Sequence, residues 1–266
     1  MLLDKTPTDG TNTEKKAVNN IGLAGFEVID TIKQKVGADA SCADILAFAG
    51  RDAADILSGG KIFYTIPGGR KDGVVSSAAA ADANLPESTF DFGQLQTNFA
   101  APGRNFTVEE LVILSGAHSI GQTHCSSFAG RLSEPADQIK PAYRELLKYK
   151  CSQGSNPTVD NNVRDENYDV VARYTPGFTS RVRKVPDYLD NSYYHNNLAK
   201  IVTFHSDWTL LTDKEAFGHV KEYAENGTLW DEDFADSLVK LSKLPMPAGS
   251  KGEIRKKCSV INHRLY

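Results

Sequence analysis

No stretch of this 266-residue chain stays apolar for long enough to span a bilayer as a helix. Positive charge is not in surplus either. Lys and Arg number 30 against 34 Asp and Glu, a formal net charge of -4, which gives no electrostatic footing on nucleic acid or an anionic membrane. Cysteine is scarce: only residues 42, 125, 151 and 258, without the Cys-x-x-Cys spacing of a zinc or redox site. Four cysteines allow three pairings, or none, and the residues alone leave these open. The start, Met1-Leu2-Leu3-Asp4-Lys5-Thr6, has no basic residue leading into an apolar core, so it does not read as a signal peptide. What remains is ordinary for a soluble globular protein, 40% hydrophobic and 24% charged, with small molecules as the favoured partners.

The segment from Leu111 to Cys125 carries the strongest chemical signal. His118 follows Gly116 and Ala117, and Gly121 lies beyond it, so side-chain bulk is absent on both sides of the imidazole. Three readings compete. His118 can be the axial ligand of a haem iron, with the small residues making room for a flat ring system. Alternatively Ala117-His118-Ser119-Ile120-Gly121 is a variant nucleophile elbow presenting Ser119, with Asp207 and then His219 or His263 in the right chain order for a serine hydrolase. The third makes His118 a hydrogen-bonded core residue. Upstream, Thr107-Val108-Glu109-Glu110 has the pattern of a capping box, which starts a helix where the elbow requires a strand.

Elsewhere the periodicity predicts a long amphipathic helix over 14–35, weakened by Gly22 and Gly25, and a second over 40–57. Residues 62–83, rich in glycine and small side chains, read as loop with a short hairpin, in which Arg70 either pairs with Asp72 or faces a cofactor. A sparser apolar pattern follows from Ile120 to Leu132. Helices are expected over 139–151, 191–200, 214–225 and 229–244, with a long polar segment over 152–186. Asn105-Phe106-Thr107 and Asn226-Gly227-Thr228 are N-glycosylation sequons. No role beyond surface or core packing is evident for His124, His195 and His205.

Leu111 to Cys125 resembles the proximal haem segment of the secretory plant (class III) peroxidases, and Ser41-Cys42-Ala43-Asp44-Ile45-Leu46 resembles another signature of that family. Pro67 to Gly73, Ala83-Asn84-Leu85-Pro86, Leu189 to Tyr194 and Gly252 to Cys258 follow in the family's order, so the resemblance runs over essentially the whole chain. It implies a mainly α fold, one peroxidase domain over 1–266 in two helical lobes with haem b held between them. His118 is then the fifth iron ligand, Asp207 the acceptor of its Nδ1 proton, and Pro86 the residue whose carbonyl receives an aromatic donor. The activity implied is reduction of hydrogen peroxide with oxidation of small phenolic donors, in response to oxidative stress, by a secreted monomer. The pairings Cys42–Cys258 and Cys125–Cys151 follow from the same resemblance.

Two departures matter. The family's distal Arg and His fall upstream of Met1, leaving Asn20, which matches the distal asparagine, and Glu14 beside it without the histidine they serve. Read literally from Met1, the chain is expected to be a poor peroxidase or a non-catalytic haem-binding remnant. The family's calcium site would draw on Ser119, Asp190 and the Tyr188 carbonyl, but Val182 and Val185 stand where an Asp and a Thr are expected.

Overall fold

The computed structural model describes residues 1–162, 187–246 and 248–262. They form two compact units: Met1–Ala53 with Tyr64–Leu85 and Ser242–Tyr266, and Ala54–Phe63 with Pro86–Leu241. Helix dominates both, and the strands are two or three residues long. No helix among the described residues is long and apolar enough to cross a membrane.

In the first unit the long helix expected over 14–35 is not continuous. Short 3₁₀ turns at Glu14–Lys16 and Val18–Asn20 precede α1, Phe26–Val36. Gly22 and Gly25 take φ of +93° and +83°, in the left-handed region that only glycine enters freely, so the helix cannot propagate through them. The apolar stripe read from the sequence is therefore divided. Val18, Ile21 and Val28 are exposed, while Ile29 is buried with Leu2, Cys42, Ile45 and Cys258.

Helix α2, Cys42–Ser58, lies within two residues of its expected limits. Its N-terminal amides are satisfied from far along the chain, because buried Asp72 accepts from the Cys42 and Ala43 amides at 3.1 and 2.8 Å and from the Arg255 amide at 2.9 Å. That carboxylate is thus not paired with Arg70, as the sequence suggested. Arg70 instead bonds Asp44 at 3.0 Å and the Pro67 and Ser242 carbonyls. The strand at Asp72–Gly73 pairs antiparallel with Gly252–Glu253 and not within a local hairpin. Within the stretch expected to be loop, α3 forms over Ala78–Asn84, where Ser77 caps a run of four alanines.

The second unit contains α4 (Phe92–Phe99), α5 (Val108–Ser115), α6 (Pro141–Cys151), α7 (Ser192–Leu198), α8 (His205–Trp208), α9 (Lys214–Glu225) and α10 (Gly227–Ser242). The capping box of α5 is formed as read: Thr107 Oγ1 accepts from the Glu110 amide at 3.1 Å and Glu110 Oε2 from the Thr107 amide at 2.8 Å. Beyond it the sparser apolar pattern over Ile120 to Leu132 is divided between a short strand and 3₁₀ turns. Gln122–His124 pairs antiparallel with Thr158–Asp160, and Cys125–Ser133 is 3₁₀.

All four cysteines are bridged, Cys42 to Cys258 and Cys125 to Cys151. Their sequence separations of 216 and 26 residues correspond to roughly 3–5 kcal/mol each by loop entropy.

Asp231, on α10, supplies a prediction about stability. Burial, with Asp190 and Glu232 nearby, pushes its carboxyl up to about 6 although Lys61 lies 3.9 Å away. A carboxyl whose folded pKa exceeds its unfolded value contributes stability that is fully present below the unfolded value and lost as pH rises through about 6. Asp231→Asn is therefore expected to stabilise the chain by about 1–3 kcal/mol at pH 7 and by almost nothing near pH 4. Urea denaturation at the two pH values checks this.

Candidate functional site

Helix α5 delivers the backbone into a tight turn, and the turn delivers His118. The 3₁₀ segment Gly116–Ser119 continues directly from α5, whose last carbonyls need partners. Two buried aromatic side chains provide them. Tyr194 Oη donates to the Val112 and Ile113 carbonyls at 2.9 and 3.2 Å, and Trp230 Nε1 donates to Ile113 O at 3.2 Å. Gly116 fits beneath that pair because it has no side chain; a Cβ there would lie 2.7 Å from both Trp230 Nε1 and Tyr194 Oη.

His118 Nδ1 lies 2.8 Å from Asp207 Oδ1. Asp207 is buried at 3% exposure, and its two oxygens also accept from Tyr193 Oη at 3.0 Å and from the Phe204 amide at 3.3 Å. It both caps the start of α8 and holds the histidine. Asn197 Nδ2 donates to the Asp207 carbonyl at 2.8 Å and fixes the backbone. Burial opposes a charged imidazole, but the charge of Asp207 and its hydrogen bond outweigh it and raise the His118 pKa above its ordinary value.

The carboxylate accepts a hydrogen bond from Nδ1–H, which leaves the Nε2 lone pair directed away from Asp207. No hydrogen bond to Nε2 occurs among the described residues. Phe204 and Tyr193 flank the ring edge-on, at centroid distances of 5.1 and 6.2 Å, yet the His118 side chain remains 40% exposed.

Ser119, adjacent, is fully buried, and its hydroxyl has no partner among the described residues. A serine nucleophile needs a base within hydrogen-bond reach, and the Ser119 hydroxyl bonds no imidazole among the described residues. His219, the alternative base, faces Glu222 at 3.3 Å, while His263 lies outside the described residues, as do Val182 and Val185. His205 bonds Glu134 at 2.7 Å and His124 the Asn156 carbonyl at 3.2 Å.

The other expected site residues are placed as follows. Asn20 is buried, and its Nδ2 donates to the Glu14 carbonyl at 2.8 Å; no histidine falls among the described residues of that unit. Pro86 is exposed just after α3. Asp190 Oδ1 accepts from the Ser192 amide at 2.9 Å. The supporting roles of Tyr193, Tyr194 and Trp230 were not read from the sequence, although the two tyrosines lie inside a quoted motif and Trp230 is one of only two tryptophans.

The model of the peroxidase family matches residues 1–226 of the chain. Peroxidase 2 of Zea mays is 38% identical over 99% of this chain and 74% of its own length. Peroxidase 5 of Vitis vinifera is 39% identical over 98% and 76%, and Peroxidase RIP1 of Medicago truncatula 38% over 97% and 74%. The chain belongs to the peroxidase family and is an oxidoreductase of the plant class III type.

Proposed function

We propose that this peroxidase binds haem b through His118 Nε2 and oxidises small phenolic donors with hydrogen peroxide. The observation that carries the reading is the His118–Asp207 pair at 2.8 Å, whose geometry leaves Nε2 as the free ligand nitrogen of a ring that is 40% exposed. Ala117, small and next to the ring, suits the approach of a macrocycle, whereas the space at Gly116 is taken by Trp230 and Tyr194. Haem, when bound, supplies the reduction of peroxide and the one-electron oxidation of donors.

The chain's own residues do the rest. His118 presents a neutral Nε2 because Asp207 keeps the proton at Nδ1, and the shared carboxylate makes the imidazole a more basic, electron-rich ligand. Tyr193 and the Phe204 amide hold Asp207 in place, so the ring orientation is set before the ligand arrives. Pro86, exposed and without an N–H of its own, offers a carbonyl to a phenolic hydroxyl. Action in an oxidising, extracellular compartment is supported by the bridging of all four cysteines.

Titrating the purified chain with haem b tests this. A Soret band saturating near one equivalent is expected, together with peroxide-dependent oxidation of a simple phenol such as guaiacol. Absence of any haem complex would refute the proposal.

A further inference from the structure

The calcium site implied by the family departs from its pattern at Val182 and Val185, and the described residues beside Ser119 are joined by hydrogen bonds between their own groups. Calcium takes six to eight oxygens, several of them charged. The segment after His118 instead meets an amide. Asn162, 1% exposed, directs Nδ2 to the Ser119 carbonyl at 2.9 Å and to Ser192 Oγ at 2.8 Å. Its own Oδ1 accepts from Asn196 Nδ2 at 2.5 Å, and Asn196 is buried too. Asp190 Oδ1 is turned onto the Ser192 amide at 2.9 Å. Among these groups only Asp190 carries charge, and no cluster of three or more His, Cys, Asp or Glu residues suited to a metal occurs among the described residues.

We infer that the Asn162 amide has taken over the work of the cation, tying the His118 turn to the start of α7 by hydrogen bonds, so that this segment is held without calcium. An N–H group bridging a carbonyl and a hydroxyl supplies the electropositive partner that a metal would supply, at no net charge. One oxygen is left over. The Ser119 hydroxyl, fully buried and unpartnered among the described residues, is what a site built for more ligands leaves when an amide with two hydrogens fills it. The residue on which the inference turns is Asn162, two positions after the strand at 158–160.

The inference rests on family membership but not on iron ligation by His118, so its test reads metal content and thermal stability without added haem. The purified full chain is expected to contain no stoichiometric calcium and to unfold at the same temperature in EGTA and in millimolar CaCl2. Asn162→Asp replaces the donor by a carboxylate facing the Ser119 carbonyl and the Ser192 hydroxyl. This variant is expected to melt several degrees lower in EGTA and to recover in CaCl2 with about one calcium bound. Asn162→Ala, lacking both clasp and carboxylate, is expected to melt lower in either buffer. Calcium bound to the unaltered chain, with a melting temperature that falls in EGTA, would overturn the inference. So would an Asn162→Asp chain whose melting temperature ignores calcium. If that variant does not fold, the calcium content of the unaltered chain decides alone.

Discussion

Gly116→Ala is expected to destabilise the chain by about 2–4 kcal/mol and to weaken haem binding with it. The added methyl would sit 2.7 Å from Trp230 Nε1 and Tyr194 Oη, inside van der Waals contact. Neither neighbour has room to retreat, since Trp230 and Tyr194 are both fully buried. Overpacking of this kind costs about 1–3 kcal/mol. Moving the two donors also loosens their bonds to the Val112 and Ile113 carbonyls, at about 1 kcal/mol for each bond lost. Because the same turn carries His118, the strain is delivered to the ligand. Gly218→Ala makes the contrast: that glycine lies inside α9 with nothing within 4 Å of its added Cβ, and alanine there is expected to stabilise by about 0.5–1 kcal/mol. Equal and small effects at both positions in denaturant titrations would remove the steric role assigned to Gly116.

Asp207→Asn is expected to have the larger effect on chemistry. An asparagine can still accept from His118 Nδ1, but it is neutral, so the imidazole loses its anionic partner. Its amide group also turns a donor toward the Phe204 amide or the Tyr193 hydroxyl, both of which donate now. Loss of a partner of this type typically weakens metal affinity about 10–100-fold. The reduction potential of the haem-loaded variant is expected to rise, because the less electron-rich ligand no longer favours the higher oxidation state. Tyr193→Phe, which deletes one hydrogen bond to the same carboxylate and leaves its charge, is expected to shift both quantities in the same direction by less. An unchanged potential in Asp207→Asn would reduce Asp207 to a helix-capping residue.

What the sequence made legible follows from how local the determining interactions are. The start of α5 is fixed by Thr107 and Glu110, three residues apart, and was readable for that reason. The limits of α9 at Lys214–Glu225 likewise match the periodic pattern. The helix expected over 14–35 failed because two glycines in left-handed conformations outweigh a weak apolar stripe. Helix α3 was passed over because the glycines and Pro67 upstream suggested loop, although Ser77 followed by alanines is a sound helix start. The partners of Asp72 and Arg70 could not be read locally: Arg255 and Ser242 lie more than 170 positions away.

The candidate site divides along the same line. His118 stood out because its small neighbours are adjacent in sequence, and Asp207 was reached through resemblance. The Trp230 and Tyr194 roof over Gly116 depends on segments joined only by the fold. Reading the chain linearly also passed over Asn162, which the fold brings to the Ser119 carbonyl.

The central claim is that His118 Nε2 holds the haem iron. His118→Gly removes the ring while leaving space for free imidazole, and the haem-loaded variant can be compared with the unaltered chain by visible absorption and electron paramagnetic resonance. The spectra of the variant are expected to lose the signature of a histidine-ligated iron and to regain it when imidazole is added. A His118→Gly chain whose Soret band and resonance signals match those of the unaltered protein, with imidazole making no difference, would contradict the account.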